Sequence, residues 1–130
     1  MKKFNFLLIA ILVFSGLTAQ VNYVEFTDDN TTYSQDFNTL ESEEGKKSIP
    51  WTNGEEPIVG WYASQLMGGD SPQTVTIYST GSTTTTAAAG LVSYGTSNDR
   101  ALGSRISNAI GDMAYGVKLK NNTTSVIKSI

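Results

Sequence analysis

The side chains best suited to chemistry in this sequence are carboxylates, and they come in adjacent pairs, Glu43-Glu44 and Glu55-Glu56. Two carboxyl groups about 5–9 Å apart across a scissile bond are the machinery of glycoside hydrolysis. Adjacent residues on an extended chain, however, point to opposite sides. Both pairs also lie in charged, loop-like sequence, where nothing raises one pKa as general-acid work demands. They read as solvated surface, and no catalytic residue is assigned. A second set of oxygen donors, Asp28, Asp29, Asn30, Asp70, Asn98 and Asp99, offers hard ligands for calcium. No EF-hand spacing links them, and Asp and Asn are ordinary turn formers. A structural calcium ion on Asp28, Asp70 and Asp99 is the metal reading; no other cofactor is expected.

The third set is aromatic: Trp51, Trp61, Tyr62, Tyr78 and Tyr94. Flat apolar rings with polar tips suit recognition of sugars at a wet surface. Trp61 lies within an apolar strand candidate and is expected in the core. Tyr62 points the other way. It is the first candidate for a glycan contact, with Trp51 and Tyr78 completing a stacking platform. Asp99 and Arg100 adjoin each other, and their expected work is structural: Asp99 shapes a turn and Arg100 bonds carbonyls or a carboxylate across a sheet.

Absences narrow the chemistry further. The 130 residues include no histidine and no cysteine. Zinc sites built on those residues, Ser-His-Asp triads and disulfides are therefore all excluded.

The elements that must carry these groups are short and β-prone. No window shows sustained 3.6-residue apolar periodicity, whereas two-residue alternation recurs between Gly, Asn and Asp turns. Strands are predicted over residues 22–27, 32–37, 58–64, 74–78, 91–94, 100–103 and 113–120, with another beginning at Ser125. Val75 and Ile77 should share one face, as should Met113, Tyr115, Val117 and Leu119. Residues 41–47 form a charged loop, Asn53-Gly54 a turn, and the low-complexity stretch 80–90 a loop. The expected fold is an all-β, antiparallel, jelly-roll-like sandwich.

The compartment is set by residues 1–19. Lys2-Lys3, an apolar run from Phe6 to Phe14 and small residues up to Ala19 have the layout of a secretory signal peptide. The run is too short for a membrane span of roughly 20 residues. Gln20 stands where a lipoprotein would need cysteine, so the expected product is exported, without a lipid anchor or membrane insertion. Without residues 1–19, seven Lys and Arg face twelve Asp and Glu, a formal charge of −5. That balance argues against nucleic acid.

Several segments recur in one order: YSQDFNTL (33–40), GWYAS (60–64), SYG (93–95), NDRALGS (98–104) and YGVKLKNNT (115–123). This order resembles an N-terminal β-sandwich module of exported bacterial proteins. Such modules occur in Bacteroidetes proteins with a C-terminal type IX secretion signal and in proteins with an exosortase-type sorting tail. The resemblance runs from Tyr33 to Ile130, with residues 20–32 as a lead-in strand and turn. It implies a jelly-roll-like accessory module without a catalytic residue set. In similar modules further strands follow the NNT segment, which implies that the present chain is truncated at its C-terminus. Ile130 also stops inside a β-like pattern. The functional expectation is a non-catalytic module of a secreted or cell-surface protein, serving adhesion, glycan contact or scaffolding. Its partners would be a surface glycan or other domains of the same polypeptide. The alternative is the front part of a secreted hydrolase whose catalytic domain lies downstream of residue 130.

Overall fold

The computed structural model describes residues 21–66, 71–82 and 85–127. Residues 1–19, where a signal peptide is expected, Asp70 and the last three residues lie outside them. Among the described residues every regular element is a strand. The strands are β1 (Val24–Phe26), β2 (Ile49–Pro50), β3 (Trp61–Leu66), β4 (Gln73–Thr74), β5 (Ile77–Gly81), β6 (Gly90–Thr96), β7 (Asp99–Arg105), β8 (Asp112–Val117) and β9 (Leu119–Asn121). They make a four-stranded sheet in the order β2-β5-β6-β7, a three-stranded sheet β4-β3-β8, and a two-stranded sheet β1-β9.

The fold is all-β and sandwich-like, as two-residue alternation between turns dictates. Tyr78, Leu91 and Leu102 of the four-stranded sheet meet Ala63 of the three-stranded sheet, and Leu40, Trp51, Ile58 and Val75 fill the space between. Pairing is mixed rather than purely antiparallel. β5 runs parallel to β6 and β1 parallel to β9. The parallel β5–β6 pair needs a crossover, and residues 82–89 supply it. Ala87 of that crossover is buried, and the outer face it covers includes Val92, which is fully buried. Tyr94 lies across Gly81 and Gly103 of the two flanking strands, where a Cβ would stand 3.1–3.2 Å from its ring.

Four predicted segments differ. Residues 32–37 are not a strand. The Asp36 carboxylate accepts the Asn38 amide at 3.0 Å, the Leu40 amide donates to the Phe37 carbonyl at 3.0 Å, and Phe37 takes φ 59°. Turn chemistry wins there, because a left-handed residue cannot continue a strand. The predicted strand 74–78 divides between two sheets. Thr74 pairs with Ser64, and Ile77 pairs with Pro50 of the other sheet. Val75 is therefore buried while Ile77 is 50% exposed. The strand 113–120 changes partner at Lys118, from β3 to β1, and Tyr115 is 40% exposed. No strand begins within the described residues at Ser125.

Candidate functional site

The groups with shifted protonation gather in one place, where residues 38–47 fold onto the core-facing side of the four-stranded sheet. Thr80 and Ser93 point inward from β5 and β6 and are fully buried. A buried hydroxyl must find partners, and the loop provides them. Thr80 Oγ1 donates to the Glu43 carbonyl at 2.5 Å and accepts the Lys46 amide at 2.9 Å. Ser93 Oγ donates to the Glu41 carbonyl at 3.2 Å, and the Glu41 amide donates to the Tyr78 hydroxyl at 3.0 Å. Burial raises the Tyr78 phenol above its ordinary value and lowers the Arg100 guanidinium.

Arg100 is the hub of this network. Its Nε donates to Ser93 Oγ at 2.9 Å, Nη1 to the Gly95 carbonyl at 2.6 Å, and Nη2 to the Ser93 carbonyl at 2.6 Å. The sequence reading that Arg100 bonds carbonyls across the sheet holds. The anchoring role of Thr80, Ser93 and the loop has no sequence signature beyond polar residues at inward positions.

At the outer edge of the network Lys46 Nζ lies 2.5 Å from Glu41 Oε2. The lysine, helped by the amides of Glu43 and Ser42, holds the Glu41 carboxyl down to about 2. The folded value lies below the unfolded one. Its stabilisation is therefore complete above the ordinary range near 4.5 and is lost as pH falls through about 2. Glu41 is 27% and Lys46 44% exposed, so solvent screens the pair. Glu41→Gln is expected to remove no more than about 1 kcal/mol of acid-dependent stability between pH 4.5 and 2. Urea midpoints across that range check it; an unchanged slope in the variant would rule it out.

The aromatic candidates separate. Trp51 and Tyr78 are each 3% exposed and pack edge to face, centroids 6.2 Å apart. Neither presents a ring face to a ligand, which corrects the stacking-platform expectation. Trp51 is drawn inward by Asn53, whose side chain accepts the indole N–H at 2.8 Å and the Ala63 amide at 2.7 Å. Trp61 packs on the core through Phe37, 5.0 Å away and edge to face.

Tyr62 points to the opposite side of β3. It borders a shallow depression of about 400 Å³ whose floor includes Ser64, Ala114 and Gly116. Gly116 pairs with Tyr62, and a Cβ there would meet open space. The Tyr62 hydroxyl donates to the Asn22 carbonyl at 2.9 Å, and its ring end lies against Gly54. Lys118 Nζ sits 3.9 Å from the ring centroid. The ring is thus fixed at its tip and carries a cation on one face. Comparison with protein-family models, curated proteins and solved structures gives no significant match.

The acidic candidates do not converge. Asp28 Oδ1 accepts the Thr124 amide at 3.0 Å. Asp99 opens β7, paired with Thr96 across the Ser97-Asn98 turn. Asp70 lies outside the described residues. Among those residues, no three His, Cys, Asp or Glu side chains gather as a metal-binding group. Glu43 and Glu44 lie in the stapled loop, Glu44 bonded to Thr85 at 2.8 Å.

Proposed function

We propose that this chain is a non-catalytic accessory module of an exported protein, and that its contact surface is the Tyr62 depression, taking a glycan. The observation that carries the reading is where the polar side chains are used. Glu41, Lys46, Tyr78 and Arg100, the groups with shifted protonation, all serve to hold a loop on a sheet. Perturbed groups at an enzyme centre instead keep their reactive atoms turned to a cleft that substrate enters. The Tyr62 depression supplies a fixed ring beside a hydroxyl, an ammonium and a floor of small residues, which suits a flat polyhydroxylated ligand. The signal-like layout of residues 1–19 supports export, and the ordered segments from Tyr33 support kinship with N-terminal modules of exported bacterial proteins.

Titration of the isotope-labelled chain with bacterial surface polysaccharides is expected to move the amide signals of Tyr62, Ser64 and Gly116. Tyr62→Ala is expected to weaken that binding roughly five- to thirtyfold, with the β-sheet signals otherwise in place, since it removes a stacking ring worth about 1–2 kcal/mol. Shifts confined to other surfaces would refute the glycan site. Release of reducing sugar by the purified chain would refute the non-catalytic reading.

A further inference from the structure

The two long sheet edges are treated differently. On β7 the outward amide of Arg100 is covered, donating to Asn38 Oδ1 at 2.9 Å. On β8 no such cover exists among the described residues, and β8 is the edge of its sheet. Lys118 donates its amide to the Gly60 carbonyl at 2.9 Å, and Ala63, opposite Tyr115, accepts the Val75 amide from the other side of β3. The even-numbered residues of β8 therefore bond inward. The amides and carbonyls of Met113, Tyr115 and Val117 point outward, away from β3. The strand has no proline, and its ladder to β3 runs from Leu66↔Asp112 to Trp61↔Val117 without a bulge. Natural proteins seldom leave such an edge open, because it recruits another strand.

We propose that the partner is a second copy of this chain, paired antiparallel through β8 about a two-fold axis at Tyr115. That register sets Tyr115 opposite Tyr115 of the copy and Met113 opposite Val117. These are the outward-bonding residues, so each such pair can exchange its backbone bonds. It also sets Asp112 opposite Lys118, twice by symmetry, on the face where both side chains are exposed. Ala114 meets Gly116, leaving no bulk between them. A register shifted by two residues would set Asp112 against Lys120, whose charge Glu25 already neutralises at 3.0 Å, whereas Lys118 rests on the Tyr62 ring with no carboxylate beside it among the described residues. The isologous pairing uses the β8 edge completely and closes as a dimer, giving a six-stranded sheet. It does not depend on the glycan reading.

Sedimentation velocity of the purified chain is the test. A single strand pair is a small interface, so a dissociation constant on the order of tens of micromolar is expected. Tyr115→Pro removes an outward N–H while leaving the bonds to β3, and edge strands tolerate proline in that orientation. It is expected to abolish the dimer with the melting transition retained. Asp112→Lys and Lys118→Asp should each weaken the dimer roughly five- to tenfold, and the double exchange should restore it. If Tyr115→Pro does not fold, the charge exchange decides. A chain monomeric up to about 1 mM, well above that range, would overturn the proposal and leave the edge to a foreign strand. So would a dimer indifferent to the charge exchange.

Discussion

Replacing Arg100 by alanine is expected to destabilise the fold by about 3–5 kcal/mol, a large part of the roughly 5–15 kcal/mol that holds a domain together. Arg100 is 3% exposed, and its acceptors are neutral: the Ser93 and Gly95 carbonyls and the Ser93 hydroxyl. A buried charge without a carboxylate partner survives only if its donors are met by fixed dipoles. Removing the guanidinium would leave the buried Ser93 carbonyl and hydroxyl without those donors and a cavity between sheet and loop, while the carbonyl of the exposed Gly95 can turn to water. Each orphaned buried acceptor costs about 1–3 kcal/mol.

Arg100→Lys should recover only a small part of the loss, because an ammonium cannot reproduce a planar fork that reaches both carbonyls and a hydroxyl. Ser93→Ala should cost less, about 1–2 kcal/mol: it removes one hydroxyl while the two carbonyls keep their donors. Urea unfolding of the three variants reads this order from the midpoints at constant slope. An Arg100→Ala midpoint within the range of surface substitutions would mean that the loop, not the side chain, carries the stability.

The sequence made the strands of this network legible but not their convergence. Alternation and the turn residues of 95–99 placed β6 and β7 as neighbouring strands, each shorter than observed because both run on into that turn segment, and the adjacency of Asp99 to Arg100 pointed to a bond across the sheet. The loop that closes over Arg100 left no trace, because Glu41, Glu43 and Lys46 contribute largely backbone groups, and every residue has those. The parallel β5–β6 pairing was hidden in the same way. Its crossover is a Thr- and Ala-rich stretch with no periodicity to set a register. The break between Thr74 and Ile77 escaped because period-two alternation reports which face a residue occupies, not which sheet. Tyr62 was legible as an outward ring. Lys118, which caps it, was not, since a cross-strand neighbour is fixed by register alone.

Trp51 was misread for a reason that leads to the second large effect. A ring with a polar tip suits a wet surface and a core equally well, and residue type alone does not choose between them. In the fold Asn53 is a clip: Oδ1 accepts the Trp51 indole and the Ala63 amide, and Nδ2 donates to the Ala63 carbonyl at 3.0 Å. The clip ties the turn to β3, and the Trp51 amide adds a bond to the Thr76 carbonyl at 2.9 Å. The indole has nowhere to go but between the sheets, against Tyr78.

Trp51→Ala is therefore expected to cost about 3–5 kcal/mol, through the lost burial and the cavity left behind. Trp51→Phe keeps most of the volume and loses one N–H. Asn53 Oδ1 retains the Ala63 amide, so no acceptor is orphaned and the cost should stay near 1–2 kcal/mol. Chemical denaturation gives both numbers, and glycan titration of Trp51→Phe separates structure from recognition. A core residue predicts ligand affinity unchanged within about twofold in that variant. A loss of affinity without a loss of stability would return Trp51 to the surface, because only a ring in contact with ligand can change binding while leaving the packing intact.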